Sequence, residues 1–156
     1  MTLRASLLLA GWTVLAGIGI PLVGVLNSGL ARAVGNAVSA TAIMFAVAFV
    51  VAATIALPMH GVPTIRQLSA APIGSYAAGL IMGFYALSAT IIIPRFGAGS
   101  FVTFILLAQL LTAAVIDQWG LFGIERRPAD AAKLVAFALI VSGIVLMQWS
   151  GRRADG

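Results

Sequence analysis

The chain has 156 residues, of which 62% are hydrophobic and only 8% charged, against roughly 25% charged in soluble domains. A helix crosses a hydrocarbon core with about 20 mainly apolar residues, and five such runs leave no room within these residues for a separate soluble catalytic domain. Cysteine is absent, which excludes disulfides and thiolate metal sites, and the basic residues behind the net charge of +5 stand singly at run ends, unlike the stripe that nucleic acid requires.

The sequence therefore predicts an all-α membrane protein, a single integral membrane domain over 1–156. Its helices fall at about 5–33, 37–57, 73–93, 100–118 and 132–149. Long apolar runs without strict alternation favour helices over a barrel. The first run follows Arg4 and is too long for the apolar region of a secretory signal, so a retained helix is expected. Gly17, Gly19, Pro21, Gly24 and Gly29 interrupt it. Pro21 removes one backbone hydrogen bond, so Gly17, Gly19, Pro21 and Gly24 are candidates for a gate or hinge, with close packing as the alternative. Asn27 lies inside the apolar zone and needs a polar partner, so it either faces a central, substrate-binding cavity or caps a neighbouring helix. Trp12 is either a cavity wall or an interfacial anchor.

Gly35 and Asn36 suit the turn into the second helix, Gly35 by a positive φ and Asn36 as a cap. "LPMHGVPTIRQLSAAP" is the longest link, where three prolines and a glycine stop the second helix. It carries His60, expected to be solvated. In the third helix Gly79 and Gly83 form a GxxxG pair expected to pack closely, followed by Tyr85, Ser88 and Thr90. Tyr85, a phenol in mid-membrane, needs a hydrogen-bond partner, and Ser88 is a further candidate for a cavity wall. The helix is expected to stop before Pro94, and Ser100 to cap the fourth.

That fourth helix runs about 27 Å from Ser100 to Asp117 at 1.5 Å per residue, which puts Gln109 almost at the bilayer midplane. Gln109, with Thr112 one turn on, is the best-placed polar group for a solute or for a hydrogen bond between helices. Asp117 lies about 12 Å further along the axis, beside Trp119 and near Arg126 and Arg127, and either an interfacial ion pair or a solvated rim role is expected for it. Pro128 and Asp130 open the fifth helix. Trp119 and Trp149 read as aromatic belt residues.

Orientation follows the Lys/Arg bias of short loops. One side collects Arg4, Arg66, Arg126, Arg127 and Lys133, and the other Arg32, Arg95, Arg152 and Arg153. That near balance suits insertion in both directions. Two opposed copies of an odd-helix chain would form a ten-helix body with the inverted symmetry common in secondary transporters.

"GIPLVGVLNSGLARAVGN", "YAAGLIMGFYALSATIIIPRFGAG", "LLAQLLTAAVIDQWGLFG" and "RRPADAAKLVAFALIVSGIVL" together resemble the YdcZ-like bacterial family, a five-helix branch of the drug/metabolite transporter (EamA-like) superfamily. The likeness spans about residues 15–148. It implies the bacterial inner membrane, ten helices per working unit, and pairing of two oppositely oriented halves. The approach to the third helix departs from the family, with "RQLSAAPIGSY" where a tryptophan-rich segment is usual. Smaller relatives in the superfamily use a central glutamate in the first helix, but Thr13, Leu15 and Gly17 stand there and cannot titrate.

The expectation is thus a secondary transporter of a small organic solute, acting by alternating access as an antiparallel homodimer in the lipid bilayer. The alternative is a non-transporting membrane subunit of a larger complex. No intramembrane carboxylate pair, metal-ligand spacing, phosphate-binding loop or nucleophile with a base is visible, so no enzyme, cofactor or metal is expected.

Overall fold

The computed structural model describes the backbone of residues 3–154 and the side chains of residues 4–150. Arg152 and Arg153, counted above for orientation, lie outside the described side chains. Six α-helices are present: α1 Leu3–Val34, α2 Ala37–His60, α3 Ile65–Ala70, α4 Ala77–Phe96, α5 Ala98–Trp119 and α6 Ala131–Ala154, with short 3-10 turns at Ile73–Tyr76 and Leu121–Gly123. No strand occurs among the described residues. Among the described residues, five segments are long and apolar enough to cross a membrane: Arg4–Val34, Ala37–His60, Ile73–Phe96, Ala98–Trp119 and Ala131–Ser150.

Glycines, not prolines, set the helix ends. The expected stops before Pro58 and Pro94 are corrected: α2 runs on to His60 and α4 to Phe96. Each ends at a positive-φ glycine, Gly61 at 70° and Gly97 at 84°. A proline deletes one N–H, and in an apolar setting the surrounding turns keep their own hydrogen bonds, so the helix continues. The expected break in the first helix is corrected for the same reason, because α1 is continuous through Pro21. Ser100 does not cap α5 but lies inside its first turn. Asn36 does cap α2, with its side chain accepting from the Ser39 N–H at 2.7 Å, after Gly35 at φ 84°.

The long link contains the unforeseen α3. Thr64 and Gln67 close a capping box: the Thr64 N–H donates to Gln67 Oε1 at 2.8 Å and the Gln67 N–H donates to Thr64 Oγ1 at 3.4 Å. This satisfies two otherwise orphaned donors reciprocally. Tyr76 Oη donates to the Leu68 carbonyl at 2.8 Å and ties the link to the start of α4.

The chain divides into two compact units, Met1–Ala98 and Gly99–Gly156. In the first, α1, α2 and α4 pack against one another. The residues buried there are small or polar: Ala40, Ala86 and Ala89 beside Asn27, Ser28, Thr41 and Thr90, with Ile93 the one large exception. Leucines, valines and phenylalanines face outward. This inverts a soluble core because lipid tails solvate apolar side chains, while small residues let helix backbones approach. Gly24 is the close contact. A Cβ there would collide with Ile93 Cδ1 and meet Ala89 Cβ at 3.5 Å, so Gly24, expected among the hinge residues, is wedged against α4. Gly79 and Gly83, the expected packing pair, have no atom within 4 Å of a Cβ position. Within this unit they pack against nothing.

Candidate functional site

Three apolar helices of the first unit converge on a buried polar cluster. Asn27 of α1, 4% exposed, donates through Nδ2 to Thr90 Oγ1 of α4 at 2.7 Å and to Thr41 Oγ1 of α2 at 3.2 Å. Thr90 Oγ1 passes its own proton to the Ala86 carbonyl at 2.7 Å. Ser28 Oγ lies 2.7 Å from the Gly24 carbonyl and 3.2 Å from the Thr90 carbonyl, sharing one donor between them.

The second Ser28 contact follows from covalent chemistry. Pro94 has no N–H to give the carbonyl four residues earlier, which is that of Thr90. Ser28 supplies the donor from the neighbouring helix, the kind of compensation that makes proline tolerable in lipid. Asn27 therefore binds α1 to α2 and α4, and Ser28 repairs α4.

One atom of the cluster is left over. Asn27 Oδ1 is buried and has no hydrogen-bond partner. Turning the amide over would offer Oδ1 to the two threonines but strand both Nδ2 donors, so the present orientation leaves the smaller deficit. Beside Asn27 runs a groove of about 250 Å³, lined by Val23, Leu26 and Leu30 of α1 and Ile43, Met44 and Val47 of α2.

No side-chain hydrogen bond joins the other cavity candidates of the first unit to this cluster. Tyr85 and Ser88 are half-buried on α4, N-terminal to Thr90. Trp12 is exposed on the N-terminal half of α1. In the second unit Gln109 and Thr112 are exposed on α5, and neither makes a hydrogen bond through its side chain. Ser28 and Thr41 were missed by sequence reasoning. The signal for Ser28 was the Thr90 carbonyl that Pro94 must free, whereas nothing in the sequence links Thr41 to Asn27.

In the second unit the chain returns from α5 to α6 through Gly120, Phe122 and Gly123, all at positive φ. Gly120 is required there, since a Cβ would sit 3.1 Å from the Ile124 carbonyl oxygen. Of the two roles expected for Asp117, the ion pair with Arg126 or Arg127 is corrected. Both arginines come back to the end of α5 but bind its carbonyls. The Arg127 N–H donates to the Asp117 carbonyl at 2.8 Å and Arg126 Nε to that of Gln118 at 2.9 Å. Orphan carbonyls at a helix C-terminus attract such donors.

Arg127 pairs with Glu125 at 3.1 Å, and Asp117 faces Lys133 at 3.9 Å. Asp130 precedes α6 and caps it, accepting from the Lys133 N–H at 2.8 Å. Asp117, Arg127 and Lys133 rim an otherwise apolar groove of about 290 Å³. The Asp117 and Lys133 side chains are 40% and 43% exposed, so solvent screens the pair. Asp117→Asn is expected to cost less than about 1 kcal/mol. An unfolding midpoint in mixed micelles checks this, and a large loss would show that the pair is a structural clamp.

A family model described as "Putative inner membrane exporter, YdcZ" matches residues 8–146. No curated protein and no solved structure matches the chain.

Proposed function

With the chain a member of the YdcZ family, a multi-pass inner membrane protein of the transporter class, we propose that two oppositely inserted copies carry a small organic solute by alternating access. The observation that carries this reading is Gln109. It sits halfway along α5, Ala98–Trp119, exposed and without a hydrogen bond. An amide left unpaired in hydrocarbon is costly, so Gln109 needs a partner at that depth. A second copy or a solute-filled cavity would supply it, with Thr112 of the same unit as a further candidate for its wall.

The balance of basic residues between the two sides supports opposed insertion. Gly17, Gly19 and Pro21 are the proposed hinge. Pro21 leaves the Gly17 carbonyl without its helical donor, and nothing stands within 4 Å of a Cβ at Gly17 or Gly19, so α1 has space to bend there.

Reporter fusions at the C-terminus test the orientation, one reporter active inside the cell and the other outside. Both are expected to be active at comparable expression. Activity of only one sinks dual insertion by this chain and calls for a separate partner chain. Solute flux in proteoliposomes tests the cavity, with Gln109→Ala expected to lower it at least about tenfold, the factor that one lost polar contact of roughly 1.4 kcal/mol supplies.

A further inference from the structure

The Asn27 cluster has an unpaired acceptor and, in the Thr41 hydroxyl, a single uncommitted donor. Nδ2 is committed to Thr41 and Thr90, the Thr90 hydroxyl to Ala86 and that of Ser28 to backbone carbonyls. Oδ1 is buried and without a partner. Asn27 is also the one polar residue in the lining of the 250 Å³ groove, whose other six lining residues are aliphatic or Met. We propose that this groove is a binding site for a small neutral molecule that is largely apolar and donates one N–H or O–H to Asn27 Oδ1. The inference rests on the transport reading only for the site's purpose, since it names the chemical class of solute that the site would select.

Charge excludes the other classes. A cation would need a carboxylate, and neither the cluster nor the groove lining contains one. An anion would bring its own acceptors to a carbonyl oxygen, with the lone Thr41 hydroxyl as donor to set against a full charge in an apolar site. A neutral donor pairs the orphan atom and leaves its apolar body in the groove.

Access also fits. Asn27 lies seven residues before the end of α1 at Val34, Thr41 four after the start of α2 at Ala37, and Thr90 six before the end of α4 at Phe96. At 1.5 Å per residue these are depths of about 6–10 Å. The site therefore sits within one leaflet, below the helix ends that meet at a single side. The groove is smaller than the roughly 300–1,000 Å³ of drug-sized pockets, which suits a solute of one or two rings.

Indole and 1-methylindole form a matched pair of probes, alike in shape but differing in the single N–H. The chain has two asparagines, Asn27 and Asn36, and Asn36 caps α2 with its own oxygen already engaged. Protein labelled with ¹³C and ¹⁵N at asparagine, in lipid nanodiscs, thus reports the site and carries an internal control. Indole is expected to shift the Asn27 side-chain carbonyl signal saturably and leave Asn36 still, with 1-methylindole at least about tenfold weaker, since a site built to hydrogen-bond an N–H rejects the analogue lacking it. Asn27→Leu, which keeps the branched shape, should remove saturable indole binding in equilibrium dialysis.

Equal shifts from both probes overturn the proposal, because the groove then reads shape alone. A still Asn27 signal with both also overturns it, leaving Oδ1 to a buried water. Flux in proteoliposomes separates this from the transport reading. A chain that binds indole at Asn27 but moves no solute sinks that reading and keeps the site, whereas transport without an Asn27 response sinks the site alone.

Discussion

Gly24→Leu is expected to destabilise the packed first unit by about 3 kcal/mol, the upper end of overpacking costs, read as a fall in the unfolding midpoint in mixed micelles. The position has no room, because a first side-chain carbon already collides with Ile93 Cδ1 and the next would press on Ala89. Ile93 and Ala89 are themselves buried, at 7% and 2% exposure, so α4 must move away. Gly24→Ala is a weaker probe. It gains about 1 kcal/mol of helix propensity while pushing only the tip of a flexible side chain. The decisive comparison is Gly24→Leu with Ile93→Ala, where the new side chain takes the vacated volume. The double variant should recover at least half of the loss, although Ile93→Ala alone costs about 2–5 kcal/mol. Additive losses would mean that the two side chains do not compete for one space.

The same contact governs the proposed site. Ser28 lies one turn beyond Gly24 and Asn27 on the adjoining face, so a separated α4 pulls Thr90 away from both. Binding at Asn27 should therefore fall with the packing in Gly24→Leu and return in the double variant. The glycine acts on the site through the distance between α1 and α4, touching no ligand itself.

Sequence reasoning read the spans and the turn at Gly35 and Asn36 because each depends on local chemistry. It placed the helix ends wrongly at Pro58 and Pro94, where it weighed a proline's missing N–H above a glycine's positive φ. In lipid a helix continues until a residue can leave it with its carbonyls satisfied, and Gly61 and Gly97 do that. The Thr64 to Gln67 spacing was legible as a capping box and would have revealed α3.

The GxxxG pair leaves a different thing open. Small residues state that a backbone can be approached, and only the fold states by what. Gly24 has α4 against it, and Gly79 and Gly83 have nothing in their unit. Asn27 stood out as an amide in an apolar run, but its partners are 14 and 63 residues away, a relation carried by helix packing and by no local pattern.

Ser28→Ala is expected to lower stability by about 1–2 kcal/mol, within the range measured for hydrogen bonds between membrane helices. The reason is the carbonyl of Thr90. Pro94 cannot serve it, Ser28 does at 3.2 Å, and without the hydroxyl a backbone acceptor is left buried and unpaired. Pro94→Ala should restore the helical N–H to that same oxygen and raise stability on its own, since proline costs up to about 3 kcal/mol inside a helix. In the Pro94→Ala background, Ser28→Ala should then cost less than half as much, a coupling of about 1 kcal/mol in a double-mutant cycle. Equal costs in both backgrounds would show that the hydroxyl serves Gly24 alone. The functional consequence runs against the stability. A freed carbonyl held by a shared hydroxyl is an easily exchanged bond beside Asn27, and an intact helical bond is not. Pro94→Ala should therefore slow solute flux while it stabilises the fold, the trade expected where a strained segment has to move. Faster or unchanged flux in a stabilised Pro94→Ala protein would remove Pro94 from the moving parts and leave it a structural residue.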